Sequence, residues 1–373
     1  MIYLDYSATT PVSNEVLDTF NAASLNFTGN ANSIHALGRK SNKLVTDATL
    51  QIASLLKIKP SEIIYTSGAS ESNNLAIKGI CSMYKNRGKH IVTTKYEHSS
   101  VTEVMNYLSK NGYEITYLNG NKEGHIELDE LKNVIRDDTI LVSINAIDSE
   151  IGLVQNISEI GEFLKNYPKC FFHVDITQMM GKMPIDLCNI DLASFSAHKF
   201  FGLKGIGCLV KKDKIEIEPL IHGGNSTTKY RSGTPAHPLI ASLSKALRLS
   251  FQNALENYEY VKNLNLVVRN CLKNYEDVII NSNLNDSPYI LNVSIKGIKS
   301  ETFVHALEEF EVFVSTKTAC SDEESYSKSV YNLTGDLELA KSSIRISLSY
   351  ITTEEEISKF LNIFDICYKR LKK

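Results

Sequence analysis

Short apolar runs rich in β-branched and aromatic residues recur between residues 62 and 212, and they constrain this chain more than any other feature. The candidate strands are EIIYTS (62–67), HIVTT (90–94), EITYL (114–118), ILVSIN (140–145), CFFHVD (170–175), LASFSAH (192–198) and GCLVKK (207–212). Several are apolar throughout instead of alternating, which is the pattern of strands covered on both faces. Helical patterns lie between them, such as ESNNLAIKGICSMYKN (71–86) and ISEIGEFLKNY (157–167). This alternation predicts an α/β fold: a mostly parallel central sheet flanked by helices.

After about residue 235 the pattern changes. One long helical segment is expected over 238–274, then strands near YILNVSI (289–295) and VFVST (312–316), then SSIRISLS (342–349) and a helix from about 353. That helix carries a start signal, Thr353 with Glu356 three positions on. The expected organisation is a large domain over 15–250 and a smaller α+β domain formed by 1–14 plus 255–373. A chain of 373 residues with 43% hydrophobic content has room for both cores.

Composition narrows the function classes. The formal net charge is -3 and basic residues are scattered, so no phosphate-tracking stripe is present and neither nucleic acid nor membrane is an expected partner. No apolar stretch approaches the roughly 20 residues of a membrane span, and MIYLDYSATTPV does not resemble a signal peptide. The 7 cysteines are widely spaced with no C-x-x-C pair, which argues against a disulfide framework and a metal site and points to a cytoplasmic setting.

In open α/β sheets, ligands bind beyond the carboxyl ends of the strands. After EIIYT comes SGASESNN, where Gly68, Ser70 and the amides of a starting helix can grip an anion; an ordinary helix cap is the alternative there. After HIVTT comes His98, after CFFHV comes Asp175 and then Gln178, and after LASFS come His198 and Lys199. A carboxylate at the end of an apolar strand is expensive unless it meets a cation or a protonated heteroatom, and a lysine in an apolar run is equally conspicuous. An anion grip, an imidazole, a carboxylate and a lysine on one sheet edge meet the needs of pyridoxal 5'-phosphate (PLP), which requires a lysine amine, an acid partner for its ring nitrogen and a phosphate site. The glycines after Lys199 are spaced G-x-x-G-x-G, which fits neither the dinucleotide fingerprint nor the P-loop.

Over nearly its whole length the chain resembles the cysteine desulfurases, fold-type I PLP-dependent transferases of the aminotransferase class V group. The resemblance is carried by YLDYSATTPV (3–12), SIHALGRK (33–40), YTSGASESNNLAIKG (65–79), EHSSV (97–101), EIGLVQ (150–155), HVDITQMMGKMPID (173–186), SFSAHKFFGLKGIG (194–207), RSGT (231–234), TAC (318–320) and SSIRISL (342–348), in that order. It implies that Lys199 would hold PLP covalently, Asp175 would pair with the ring nitrogen, Gln178 would contact the ring hydroxyl and His98 would stack on the ring and assist proton transfer. Ser70, Ser196 and His198 would bind the phosphate. Thr234 would reach the phosphate of the other subunit in a homodimer with shared sites. Arg345 would clamp the substrate carboxylate with its planar fork.

The resemblance makes Cys320 the nucleophile, set in a polar stretch, STKTACSDEESYSKS, that lacks a core pattern and reads as an exposed loop. The other cysteines sit in apolar or helical contexts. The implied activity converts L-cysteine to L-alanine and leaves a persulfide on Cys320 for a protein acceptor, with iron–sulfur assembly one of several possible destinations. The alternatives are a selenocysteine lyase or other β-eliminating class V enzyme, and a weakly active paralogue that serves as a docking partner in sulfur transfer. Three stretches depart from the family pattern. Asp148-Ser149 stands where two asparagines are usual, which bears on Ser149 as a substrate contact. Ser226-Thr227 replaces a glutamine–glutamate pair, and Asp322, Glu323 and Glu324 make the loop after Cys320 acidic.

Overall fold

The computed structural model describes residues 1–317 and 326–372. Cys320 and the acidic Asp322, Glu323 and Glu324 lie outside the described residues. The strands in chain order are β1 (Ile2–Tyr3), β2 (Ile63–Thr66), β3 (His90–Thr94), β4 (Glu114–Leu118), β5 (Thr139–Asn145), β6 (Phe171–Asp175), β7 (Leu192–Ser196), β8 (Gly207–Lys211), β9 (Val278–Ile280), β10 (Ile290–Ile295), β11 (Val312–Phe313) and β12 (Ser343–Ser347).

The central sheet has 7 strands in the order β2-β8-β7-β6-β5-β3-β4. All its pairings are parallel except the two that β8 makes, with β2 and with β7. Because β8 alone is reversed, the carboxyl ends of β2, β3, β5, β6 and β7 open on one edge. Alternate residues of each strand feed two separate cores. Tyr65, Val92, Val142, Phe172, Ala193 and Val210 face one, packed with Val45, Ile52, Leu243 and Leu247. Ile64, Ile91, Leu141, Phe171, Leu192 and Leu209 face the other, packed with Leu75, Ile80, Val104 and Met105. A strand buried on both faces has no solvent side to mark with polar residues, which is why these runs are apolar throughout. At the sheet's edge β4 is partly exposed, and its sequence is correspondingly mixed.

A second, antiparallel sheet runs β12-β10-β9, and the short β1 pairs in parallel with β11. The capping box at the final helix, Glu354–Leu371, is present: the Glu356 amide donates to Thr353 Oγ1 (3.1 Å) and the Thr353 amide to Glu356 Oε2 (2.8 Å). The long helical segment is two helices, His237–Gln252 and Ala254–Leu272, because Asn253 leaves helical geometry at φ -124, ψ 28. Asparagine tolerates such a break well, as helix-cap preferences show. The expected strand at 312–316 is shorter, since β1 offers only Ile2 and Tyr3 to pair with it. Among the described residues no helix is long and apolar enough to cross a membrane.

Candidate active site

At the carboxyl edge of the central sheet lies a cavity of about 410 Å³. Its lining includes Ser70, His98, Ser149, Asp175, Gln178, Ser196, His198, Lys199 and Arg345. Residues that the sequence spreads over 275 positions and several elements therefore meet in one space. Thr234 is exposed and does not line the cavity, although its RSGT turn is tethered beside it through an Arg231 Nε bond to Glu71 Oε1 (3.0 Å).

The anion end is built by the turn after β2. The helix Ala69–Met83 starts at Gly68, and no side chain caps it there. Its first turn thus points uncapped amides toward the cavity, beside Ser196 and His198. The close fit depends on Gly207: a Cβ there would lie 2.6 Å from Gly68 Cα and 2.7 Å from the Phe195 carbonyl. Burial pushes the His198 imidazole down to about 4, helped by the neighbouring Lys199, Lys204 and Lys182, so this ring is neutral at pH 7. Its Nδ1 meets Thr9 Oγ1 at 3.2 Å.

Asp175 ends β6 and is 6% exposed. Its Oδ1 accepts from the Thr177 amide (2.9 Å) and its Oδ2 from Asn73 Nδ2 (2.8 Å). The same Asn73 nitrogen donates to Ser100 Oγ (2.9 Å), which in turn meets His98 Nδ1 (2.9 Å). Asn73 is wholly buried and so ties the carboxylate to the imidazole through one amide. Because His98 Nδ1 also accepts from the Ser100 amide (3.1 Å), the neutral ring carries its proton on Nε2. Burial holds the His98 pKa below its ordinary value, with Asp175 opposing that trend.

Lys199 follows β7 in a short 3₁₀ turn, Ala197–Lys199. Its Nζ donates to the carbonyls of Ser7 (2.7 Å) and Ala8 (2.9 Å), from the N-terminal YLDYSATTPV stretch. Gln178 Nε2 donates to the same Ser7 carbonyl (2.9 Å).

Arg345 comes from β12 and is 1% exposed. Its Nη2 donates to Asp5 Oδ1 (2.8 Å) and its Nη1 to the Ser149 carbonyl (2.9 Å), while among the described residues its buried Nε has no partner. Beside it, Asp148 Oδ1 accepts from the Glu150 and Ile151 amides (2.8 and 2.6 Å) and Oδ2 from Ser329 Oγ (2.7 Å). Glu150 Oε2 accepts from Ser327 Oγ at 2.5 Å. The turn that carries Ser149 is thereby bonded to residues 327–329. Burial first, then the Glu150 charge, pushes the Asp148 carboxyl up to about 7.

Sequence reasoning did not single out Asp5, the Ser7–Ala8 carbonyls or Asn73. Asn73 lay within the quoted SGASESNN, and Asp5 and Ser7 within YLDYSATTPV, so motif membership was the only available signal.

Residues 2–360 match the aminotransferase class-V family model. The cysteine desulfurase IscS of Buchnera aphidicola subsp. Acyrthosiphon pisum is 41% identical over 383 residues, covering 100% of this chain and 93% of that protein. The chain belongs to the cysteine desulfurase family. It is an enzyme of the class V aminotransferase group, whose members use PLP. Structures of this family agree in fold. A NifS-like protein superposes with a TM-score of 0.92 at 34% identity, covering 98% of each chain. SspA, solved in complex with cysteine, gives 0.83 at 30% identity, covering 95% of this chain and 100% of its own.

The donor set fits the family cofactor. The cavity offers a primary amine, a buried carboxylate held by Asn73 and Thr177, and an uncapped helix start with Ser196 for an anion.

Proposed function

We propose that this protein is a PLP-dependent cysteine desulfurase that converts L-cysteine to L-alanine and collects the sulfur as a persulfide on Cys320. The observation that carries this reading is the convergence of Lys199, Asp175, His98 and Arg345 on a single cavity.

In this reading Lys199 would hold the cofactor covalently, Asp175 would keep its ring nitrogen protonated, Gln178 would donate to its ring hydroxyl and His98 would lie against the ring. Ser70, Ser196 and His198 take the phosphate, and Thr234 takes that of the partner subunit in a homodimer. PLP, when bound, supplies an electron sink for charge left at the substrate Cα. The protein does the rest. Arg345 grips the substrate carboxylate with the inner edge of its fork, with Ser149 beside it. The freed Lys199 amine takes the proton from Cα. The Cys320 thiolate attacks the substrate sulfur: an S–S bond forms, the C–S bond breaks with its electrons going to carbon, and a proton completes alanine. Cysteine plus a thiol gives alanine plus a persulfide, so no external oxidant is needed. The thiolate is the reactive form, so activity falls at acid pH. A protein acceptor in the cytoplasm would then discharge the persulfide. The domain division that goes with this reading is 15–250 for the cofactor body and 1–14 plus 255–373 for the part that carries Arg345 and Cys320.

The test is direct. Purified protein loaded with PLP is mixed with L-cysteine, and alanine and protein-bound sulfur are measured. Alanine in step with turnover, and loss of bound sulfur in Cys320→Ala, are the expected results. Unchanged sulfide release by Cys320→Ala at substoichiometric reductant would overturn the role of Cys320.

A further inference from the structure

We propose that Lys182 is a positioning residue of this site: it holds the Gln178 amide in the single orientation that presents a donor to the cofactor ring. The inference rests on the PLP reading above.

Lys182 is 8% exposed. Its Nζ donates to Gln178 Oε1 at 2.9 Å. It stands 5.9 Å from the centre of the Tyr289 ring, and among the described residues it forms no ion pair with a carboxylate. The charged groups that bear on it are both cations, Lys199 and Arg345; Lys182 and Lys199 line a common cavity of about 20 Å³, together with Tyr6, Tyr289 and Tyr350. Burial and those two cations push its ammonium down to about 7. A buried lysine without a counter-ion, placed next to another lysine, is a poor choice for stability alone.

Its chemistry explains the placement. A glutamine amide has two ends of nearly identical shape, and either can face a given partner. An ammonium has only donors. Where it is protonated, below about pH 7, Lys182 therefore takes Oε1 as its neighbour and rejects Nε2, which fixes the flip. Gln178 Nε2 is then directed to the other side, where one hydrogen reaches the Ser7 carbonyl that Lys199 also uses. Its second hydrogen is left for the cavity that Gln178 lines. With the amide reversed, an acceptor oxygen would face the Ser7 carbonyl, a repulsive contact, and no donor would be left for the cavity. Lys182 thus acts on the cofactor through Gln178.

The experiment uses full-length protein loaded with PLP. The position of its visible absorbance band is recorded for wild type, Lys182→Met, Lys182→Arg, Gln178→Ala and the Met/Ala double variant. The PLP dissociation constant is measured by titrating each apoprotein, and thermal denaturation reports whether each is folded. Lys182→Met is expected to shift the band and weaken PLP binding roughly tenfold, the scale of a hydrogen bond to a charged group. Lys182→Arg keeps donors at that end and restores most of the loss. In the Gln178→Ala background, Lys182→Met adds nothing further, since its effect runs through the amide. Should Lys182→Met not fold, Lys182→Gln carries the same expectation, because its amide tolerates either end of Gln178. A folded Lys182→Met or Lys182→Gln with wild-type band and affinity overturns the proposal, as does full additivity with Gln178→Ala. Titration of the wild-type apoprotein separates the two claims: failure to take up PLP sinks the PLP reading itself, whereas PLP uptake beside an unchanged Lys182→Met sinks only the role of Lys182.

Discussion

The two walls of the cavity are built on different principles. The wall formed by β2, β3, β6 and β7 carries Ser70, His98, Asp175 and Lys199 beyond their carboxyl ends, each within a few residues of a doubly covered sheet. Its polar groups are held by neutral partners: Asn73 and Ser100 between Asp175 and His98, and main-chain carbonyls that accept from Lys199. The opposite wall is assembled from distant pieces. Arg345 and Asp5 meet across 340 positions in sequence, and Asp148 and Glu150 are tied to Ser329 and Ser327. That wall concentrates buried charge. Where the geometry comes from one sheet edge, neutral partners are enough to orient each group. Where it comes from separate segments, ion pairs and charge-assisted bonds hold them together, and these respond to pH and to single substitutions.

Substitutions on the two walls should therefore fail differently. Lys199→Ala is expected to have the largest effect, lowering alanine formation by more than about a thousandfold and abolishing the visible band, because it removes both the covalent link and the base. Asp175→Asn should cost about a hundredfold in kcat with little change in KM, read from steady-state alanine production, since the amide cannot keep the ring nitrogen protonated. Arg345→Lys belongs to the other wall and should show the opposite split: KM for cysteine rises roughly tenfold or more while kcat falls less, because the planar fork is lost but the charge remains. A fall in kcat alone would erase the contrast between the walls.

The smallest effect is expected at Asp148. Its carboxyl is raised from 3.8 to about 7 in the folded protein. The native state therefore binds this proton more tightly than the unfolded chain, and the stability it contributes at low pH is lost as pH rises from about 4 to about 7. Asp148→Asn keeps an acceptor for the Glu150 and Ile151 amides and removes the charge. Denaturation measured across that window should show the variant gaining steadily on wild type up to pH 8 and matching it near pH 4. A constant difference at all pH values would mean that Asp148 is not the group that titrates.

The contrast also governs how much was legible beforehand. The strand-end wall could be read because its residues follow recognisable apolar runs, and a strand end in a parallel sheet has a known place relative to a ligand. That ground picks out His98, Asp175, Gln178 and Lys199 from the sequence. Asn73 was not, since an asparagine in the first turns of a helix carries no mark that one nitrogen will serve two acceptors. Arg345 was reached through its SSIRISL motif alone, because nothing in a short antiparallel strand tells which distant turn its side chain will meet. Asp5 went unnamed for the same reason: its partner lies near the other end of the chain. The break at Asn253 was missed because the apolar pattern continues on both sides of it.

The sequence by itself determined the fold class, the strand ends that line the cavity and the family, since apolar periodicity and ordered motifs are local properties that survive reading along a line. Only the tertiary structure decided which groups face each other. It put Lys199 on the Ser7 carbonyl, Arg345 between Asp5 and Ser149, and Lys182 against the oxygen end of Gln178. Those pairings follow from how separate elements close on one another, and hydrogen bonds a few ångströms long are set by that closure and not by spacing along the chain.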